Sequence, residues 1–277
     1  MNIFRKLFSV SIFVFLFAAS LYAATVDNIS IHSSISGNGT KTIVLVHGWT
    51  CDETFWKFQV PALSKYYKVI TIDLPGHGKS QSPKVDKFSL DLFARSIEAV
   101  RFEARTDRIV LAGHSMGTSV IIKYAQLFPQ HVAALVFVDG NVTLPHNAGR
   151  NNSVADQLAG QNGLKVREKM IRGLFSPATK PEIQKHMLSV MLSAPDTTAV
   201  GAIKAMFDRT QWKEQVFLLP VLGLYTDNST AANHEYMKTH YPNMEYKEIP
   251  GTGHFLMLEK PDEFNRLLLE FLDKQVF

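Results

Sequence analysis

The chain has 277 residues, 46% of them hydrophobic, with 29 Lys and Arg against 25 Asp and Glu for a formal charge of +4. This length and apolar content suit one large domain with a substantial core and argue against disorder, while scattered basic residues without a run argue against a nucleic-acid partner. The single cysteine, Cys51, excludes an intramolecular disulfide, so stability outside the cytoplasm would rest on packing.

Arg5 and Lys6 precede the apolar run Leu7 to Ala19, and the small residues Ser20, Ala23 and Ala24 follow. This is the pattern of a secretory signal peptide over residues 1–23. The run is short for a bilayer span, so cleavage near Ala24 is expected in preference to retention as an anchor. A periplasmic or secreted protein without stable membrane insertion follows; nothing in the sequence specifies its oligomeric state.

Ile29, Ile31 and Ile35 lie among polar residues, and Gly37-Asn38-Gly39 interrupts before Thr42 to Val46, which predicts an antiparallel hairpin. Short continuous apolar runs then recur at Ile43–Val46, Val69–Ile72, Ile109–Leu111, Leu135–Val138 and Val221–Tyr225. Such runs belong to strands covered on both faces. Helical spacing lies between them, as in Leu92, Phe93, Ile97 and Val100, and again after Pro261 in Phe264, Leu267, Leu268, Phe271 and Leu272. The alternation predicts an α/β fold with a mostly parallel central sheet flanked by helices. Residues 141–215 lack strand-like runs and are helical in pattern, with breaks at Gly160, Gly163, Pro177, Pro181 and Pro195. They are expected to form a helical cap inserted into a core of residues 24–140 and 216–277.

Loops beyond the carboxyl ends of parallel strands converge on one crevice, and here each holds a polar residue. Gly113-His114-Ser115-Met116-Gly117 follows a strand and opens a helix, the context in which a strained turn projects a serine hydroxyl. Ser115 is therefore the candidate nucleophile. A serine needs an imidazole to remove its proton and a carboxylate to hold that imidazole in the useful tautomer. His254, in the glycine-rich loop before the last helix, is the candidate base. Asp139 and Asp227, each just past a strand, are the candidate acids; Asp139 is favoured because it needs no loop adjustment, and Asp227 remains open. The Met116 and Trp49 N–H groups are the candidate oxyanion donors.

Other residues have structural readings. His114 is expected to point away from the nucleophile and to pack. Cys51 lies near Trp49 but has no second base, and Asp73-Leu74-Pro75-Gly76-His77-Gly78-Lys79-Ser80 lacks the phosphate-loop spacing and reads as a structural turn. No His, Cys, Asp or Glu cluster has metal spacing and no dinucleotide fingerprint occurs, so neither metal nor cofactor is expected.

With His47-Gly48-Trp49, Asp73 to Ser80, Gly113 to Gly117 and Gly253-His254-Phe255 in this order, the chain resembles the α/β-hydrolase fold superfamily, most of all its capped esterase and C–C hydrolase branches. The resemblance implies Ser115 as nucleophile, His254 as base, and Trp49 and Met116 as oxyanion donors. It disfavours the dehalogenase and epoxide hydrolase reactions, which use an Asp where this chain has Ser115. The expected function is a secreted serine hydrolase cleaving a small-molecule carboxylic ester, lactone or thioester through an acyl-enzyme. The alternatives are C–C bond hydrolysis, perhydrolysis, or a receptor without turnover.

Overall fold

The computed structural model describes residues 24–143, 151–227 and 229–276; the expected signal segment, residues 1–23, lies outside them. The chain opens with β1 (Ala24–Val26) and β2 (Ile29–Ile31), an antiparallel pair turned through Asp27 and Asn28, both at positive φ. It continues through β3 (Ser33–Ser36), β4 (Thr42–Val46), α1 (Val60–Leu63), β5 (Lys68–Ile72), α2 (Leu90–Glu103), β6 (Ile109–His114), α3 (Met116–Leu127) and β7 (Val132–Val138). Four helices follow, α4 (Asn151–Ala159), α5 (Gly163–Arg172), α6 (Pro181–Ser193) and α7 (Asp196–Phe207). The chain closes with β8 (Val221–Tyr225), α8 (His234–His240), β9 (Met244–Glu248), α9 (Leu256–Glu259) and α10 (Pro261–Phe271).

Strands β3 to β9 form one sheet of order β3-β5-β4-β6-β7-β8-β9, in which only the β3–β5 pair is antiparallel. Here the expected hairpin is corrected. β3 does not pair with β4, because the crossover through α1 lays β5 between them, with Ile35 opposite Ile70 and Val44 on the other side of Ile70. The hairpin that does form is β1–β2, two strands earlier. Every residue of β4, β6 and β8 is buried, as a sheet covered on both faces requires. α2 packs on α3, and α1 on α10. Ser89 caps α2 by accepting from the Leu92 N–H at 3.0 Å.

Between β7 and β8 the described chain holds no strand. Of the breaks read from the sequence, Gly160 follows α4, Gly163 opens α5, Pro181 opens α6 and Pro195 precedes α7, while Pro177 lies within the connection from α5 to α6. No helix among the described residues is long and apolar enough to cross a membrane.

Candidate active site

The carboxyl ends of β4, β6, β7, β8 and β9 deliver the candidate residues to one rim of the sheet. β6 ends at His114, and Ser115 turns the chain into α3 with φ 54° and ψ −117°, a conformation outside the ordinary regions for a residue with a side chain. The flanking glycines make that turn feasible. A Cβ on Gly117 would lie 2.5 Å from the Val46 carbonyl oxygen, and one on Gly113 would lie 2.3 Å from the Gly117 carbonyl oxygen. The Ser115 N–H donates to the Val138 carbonyl at 2.9 Å, and Thr118 Oγ1 donates to the Gly113 carbonyl at 2.7 Å, so the turn is tied at both ends.

One strand over, β7 runs directly into Asp139, whose N–H donates to the Leu224 carbonyl at 2.9 Å. Asp139 itself has positive φ, 43°, and the next carbonyl, that of Gly140, accepts from the buried Tyr225 hydroxyl at 2.9 Å. The carboxylate is thereby aimed at the loop after β9, where its Oδ2 lies 2.6 Å from His254 Nδ1. Burial alone would raise the Asp139 carboxyl; the hydrogen bond and charge of His254 outweigh it and hold the group below the usual carboxylate range. An ionised Asp139 is an acceptor only, so it favours a proton on His254 Nδ1, the tautomer in which the neutral ring presents Nε2 as an acceptor.

Of the two candidate acids, then, the structure joins Asp139 to His254. Asp227 is exposed, and its Oδ1 instead accepts from Thr226 Oγ1 at 3.1 Å and the Gly251 N–H at 3.4 Å. It lies two residues after β8 and, through the Gly251 N–H, ties the stretch before His254 to the end of that strand.

Ser115, His254, Gly48 and Trp49 line one cavity of about 740 Å3. Gly48 approaches Ser115 closely, since a Cβ there would lie 3.1 Å from Ser115 Cβ. His47 pins this loop, donating from Nδ1 to the Gly48 carbonyl at 2.8 Å while its Nε2 accepts from the Leu74 N–H at 3.0 Å. Burial pushes the His47 imidazolium down and keeps the ring neutral in this tautomer. The Trp49 indole N–H donates to the Ala199 carbonyl of α7 at 2.8 Å, so the Gly48–Trp49 loop is held by α7 as well as by His47. Met116 opens α3, where the N–H groups of the first turn have no partner within the helix.

His114 does more than pack. Its Nε2 donates to the His254 carbonyl at 2.9 Å, with the two rings 4.7 Å apart, so it supports the loop that carries His254. Burial, and then the neighbouring His254, push its imidazolium down to about 3, leaving it neutral in ordinary buffers. Cys51 also borders the cavity, but burial and then Asp52 raise its thiol well above the usual range, which keeps it protonated.

Sequence spacing missed one cluster. His32, Glu53 and Asp73 come together from three segments, their ligand atoms within 4.8 Å of one another. These acceptors are already occupied. Glu53 accepts from Lys79 Nζ, His32 Nε2 and Thr71 Oγ1, each at 2.9 Å, and Asp73 accepts the Glu53 and Lys79 N–H groups at 2.7 and 2.9 Å. The Lys79 ammonium supplies the positive charge beside Glu53, and the group ties the Asp73–Ser80 turn to β5 and to the segment between β2 and β3 rather than bordering the cavity.

The remaining wall comes mostly from α4 to α7 and is apolar, with Val154, Val166, Met170, Met191, Ile203 and Phe207 among its residues and Gln157 and Lys169 as its polar side chains.

A profile of the alpha/beta hydrolase fold matches residues 41–261, which includes both ends of the site just described. The chain belongs to the α/β-hydrolase fold family. Among curated relatives, the chain is 28% identical over 255 residues to the dihydrolipoyllysine-residue acetyltransferase component of the acetoin cleaving system of Pseudomonas putida, covering 87% of this chain but 65% of that protein. It is 27% identical over 251 residues to the pimeloyl-[acyl-carrier protein] methyl ester esterase of Nitrosomonas europaea, covering 85% and 96%. Among solved structures, a thermophilic esterase from Thermogutta terrifontis superposes with a TM-score of 0.83 at 25% identity, over 94% of this chain and 99% of that one. This α/β-hydrolase thus has esterases among its relatives along nearly its whole described length.

Proposed function

We propose that the protein is a serine hydrolase that cleaves a carboxylic ester, a lactone or thioester included, through an acyl-enzyme. The observation that carries this reading is the 2.6 Å contact between His254 Nδ1 and a buried Asp139, beside a serine at positive φ on the same cavity wall. In this mechanism Ser115 Oγ attacks the carbonyl carbon while His254 Nε2 takes its proton, and Asp139 stabilises the imidazolium that forms. The N–H groups of Trp49 and Met116 receive the developing oxyanion, a contribution of about 3 kcal/mol for each well-aimed donor. His254 then protonates the departing alkoxide oxygen. Water, deprotonated by the same nitrogen, attacks the acyl-enzyme and releases the acid with Ser115 restored. Export by residues 1–23 to the periplasm or beyond belongs to the same proposal.

The apolar wall supplied by α4 to α7 supports acyl or alkoxy groups that are hydrophobic rather than charged. Steady-state turnover of p-nitrophenyl esters tests both points. kcat/KM for the hexanoate should exceed that for the acetate by about 10-fold or more, and Ser115→Ala should abolish turnover of both. A single slow burst without turnover would favour a receptor, and equal kcat/KM for the two esters would contradict an apolar acyl site.

A further inference from the structure

The loop that carries His254 is bound to the inserted helices by one carboxylate. Glu259, the last residue of α9, accepts the Gly253 N–H on Oε2 at 2.6 Å, one peptide before His254. The same Oε2 accepts Ser176 Oγ at 3.0 Å, and Oε1 accepts Thr179 Oγ1 at 2.7 Å. Ser176 and Thr179 belong to the connection from α5 to α6, and they are organised around each other. The Ser176 N–H donates to Thr179 Oγ1 at 2.8 Å, and the Thr179 N–H returns to the Ser176 carbonyl at 3.0 Å. The approach is close: a Cβ on Gly253 would lie 3.0 Å from both Ser176 N and Ser176 Cβ. Two and three residues before Ser176, Leu174 and Gly173 form part of the cavity wall. One side chain therefore holds the backbone beside the base and the backbone of the acyl wall.

The other ties on this loop come from the core. His114 holds the His254 carbonyl, Asp139 holds the imidazole, and Thr226 Oγ1 donates to the Thr252 carbonyl at 2.6 Å. Glu259 alone among these contacts also reaches the inserted helices. A carboxylate with three charge-assisted donors, one of them backbone, is a stiffer link than neutral contacts would make.

We propose that Glu259 is a positioning residue that couples the seating of the α5–α6 connection to the alignment of His254 on Ser115. The base is in register for proton transfer when the acyl wall is seated, so substrate that fills the cavity steadies the imidazole. This rests on the hydrolase reading above for the roles of Ser115 and His254. The contact itself is independent of that reading.

Two sets of variants separate the halves of the link. Glu259→Ala removes both; Ser176→Ala with Thr179→Val removes only the half toward the inserted helices. Glu259→Ala should lower kcat on p-nitrophenyl acetate by about 10- to 100-fold, as a base displaced by a fraction of an ångström does, and should also flatten the hexanoate-to-acetate preference. The Ser176/Thr179 double variant should flatten that preference while leaving kcat on the acetate within about threefold. Glu259→Gln keeps one acceptor oxygen, should recover part of the kcat, and serves in place of the alanine variant if that chain does not fold. Amide hydrogen exchange gives a readout that needs no turnover: in Glu259→Ala, residues 173–179 and 250–255 should both exchange faster than in the parent. The inference is overturned if Glu259→Ala and Glu259→Gln keep parental kcat and selectivity, if the double variant loses acetate kcat as severely as Glu259→Ala, or if only one segment changes its exchange. Parental protein without ester turnover but with both segments loosened together would reject the hydrolase reading and leave the mechanical link standing.

Discussion

Asp139 owes its position to its neighbours rather than to itself. Its positive φ is sustained by the N–H bond to Leu224 on one side and the Tyr225 hydroxyl on the Gly140 carbonyl on the other, and these contacts turn the carboxylate toward His254. Asp227 has no comparable support and spends its oxygen on Thr226 and the Gly251 N–H. The two aspartates should thus separate cleanly in kinetics. Asp139→Asn should lower kcat by about 10³ to 10⁴, because an amide permits the wrong imidazole tautomer, whereas Asp227→Asn should change it less than about threefold. The reverse order would move the orienting role to Asp227. The sequence favours Asp139 only by its place at the strand end and leaves Asp227 open, since both stand just past a buried strand; the contacts that separate them come from Tyr225 and His254, 86 and 115 positions beyond Asp139. Ser115 was legible because its own flanking glycines announce the turn. Glu259 had no such signal, as its partners Ser176 and Thr179 are 83 and 80 positions away.

At the scale of elements, the strands with continuous apolar runs were readable one by one, but their neighbours were not. A run such as Ile43–Val46 reports burial on both faces and says nothing of which strand lies beside it. That is why β3 was expected against β4, when the crossover through α1 puts β5 there. The edge so formed is secured by the Glu53 cluster, which gathers His32, Thr71 and Lys79 around one carboxylate. Burial on its own would raise the Glu53 carboxyl from its ordinary 4.5, yet hydrogen bonds from Ser34, Lys79, His32 and Thr71 together bring it to about 2. A folded-state value below the unfolded one means stability fully present above about pH 4.5 and lost as pH falls toward 2. Glu53→Gln should therefore lower the melting temperature at pH 7 by about 2–6 °C, equivalent to ~1–2 kcal/mol with Lys79 largely in solvent. The gap between the two proteins should close as the scan is repeated toward pH 2; a gap that stays constant with pH would show that Glu53 acts through packing instead.

Over the whole molecule, core and inserted helices divide the work. The sheet places Ser115, Asp139 and His254 at its carboxyl rim, and α4 to α7 with their connections supply most of the apolar wall and hold Trp49 through Ala199, Gly76 through Thr198, and Glu259 beside the His254 loop through Ser176 and Thr179. In the sequence residues 141–215 read as a stretch without strand-like runs, and four of the breaks in it, Gly160, Gly163, Pro181 and Pro195, lie beside the ends of α4 to α7. What it encloses could not be seen, because a cavity wall is assembled from side chains on four helices whose mutual packing no local pattern encodes. The proposed hydrolysis depends on Ser115 being a nucleophile made reactive by His254. It is tested most directly by treating the protein with a fluorophosphonate and locating the adduct by peptide mass spectrometry. The adduct should fall on Ser115 in the parent and be lost in His254→Ala, while labelling at Cys51, or labelling of Ser115 that is indifferent to His254→Ala, would contradict it.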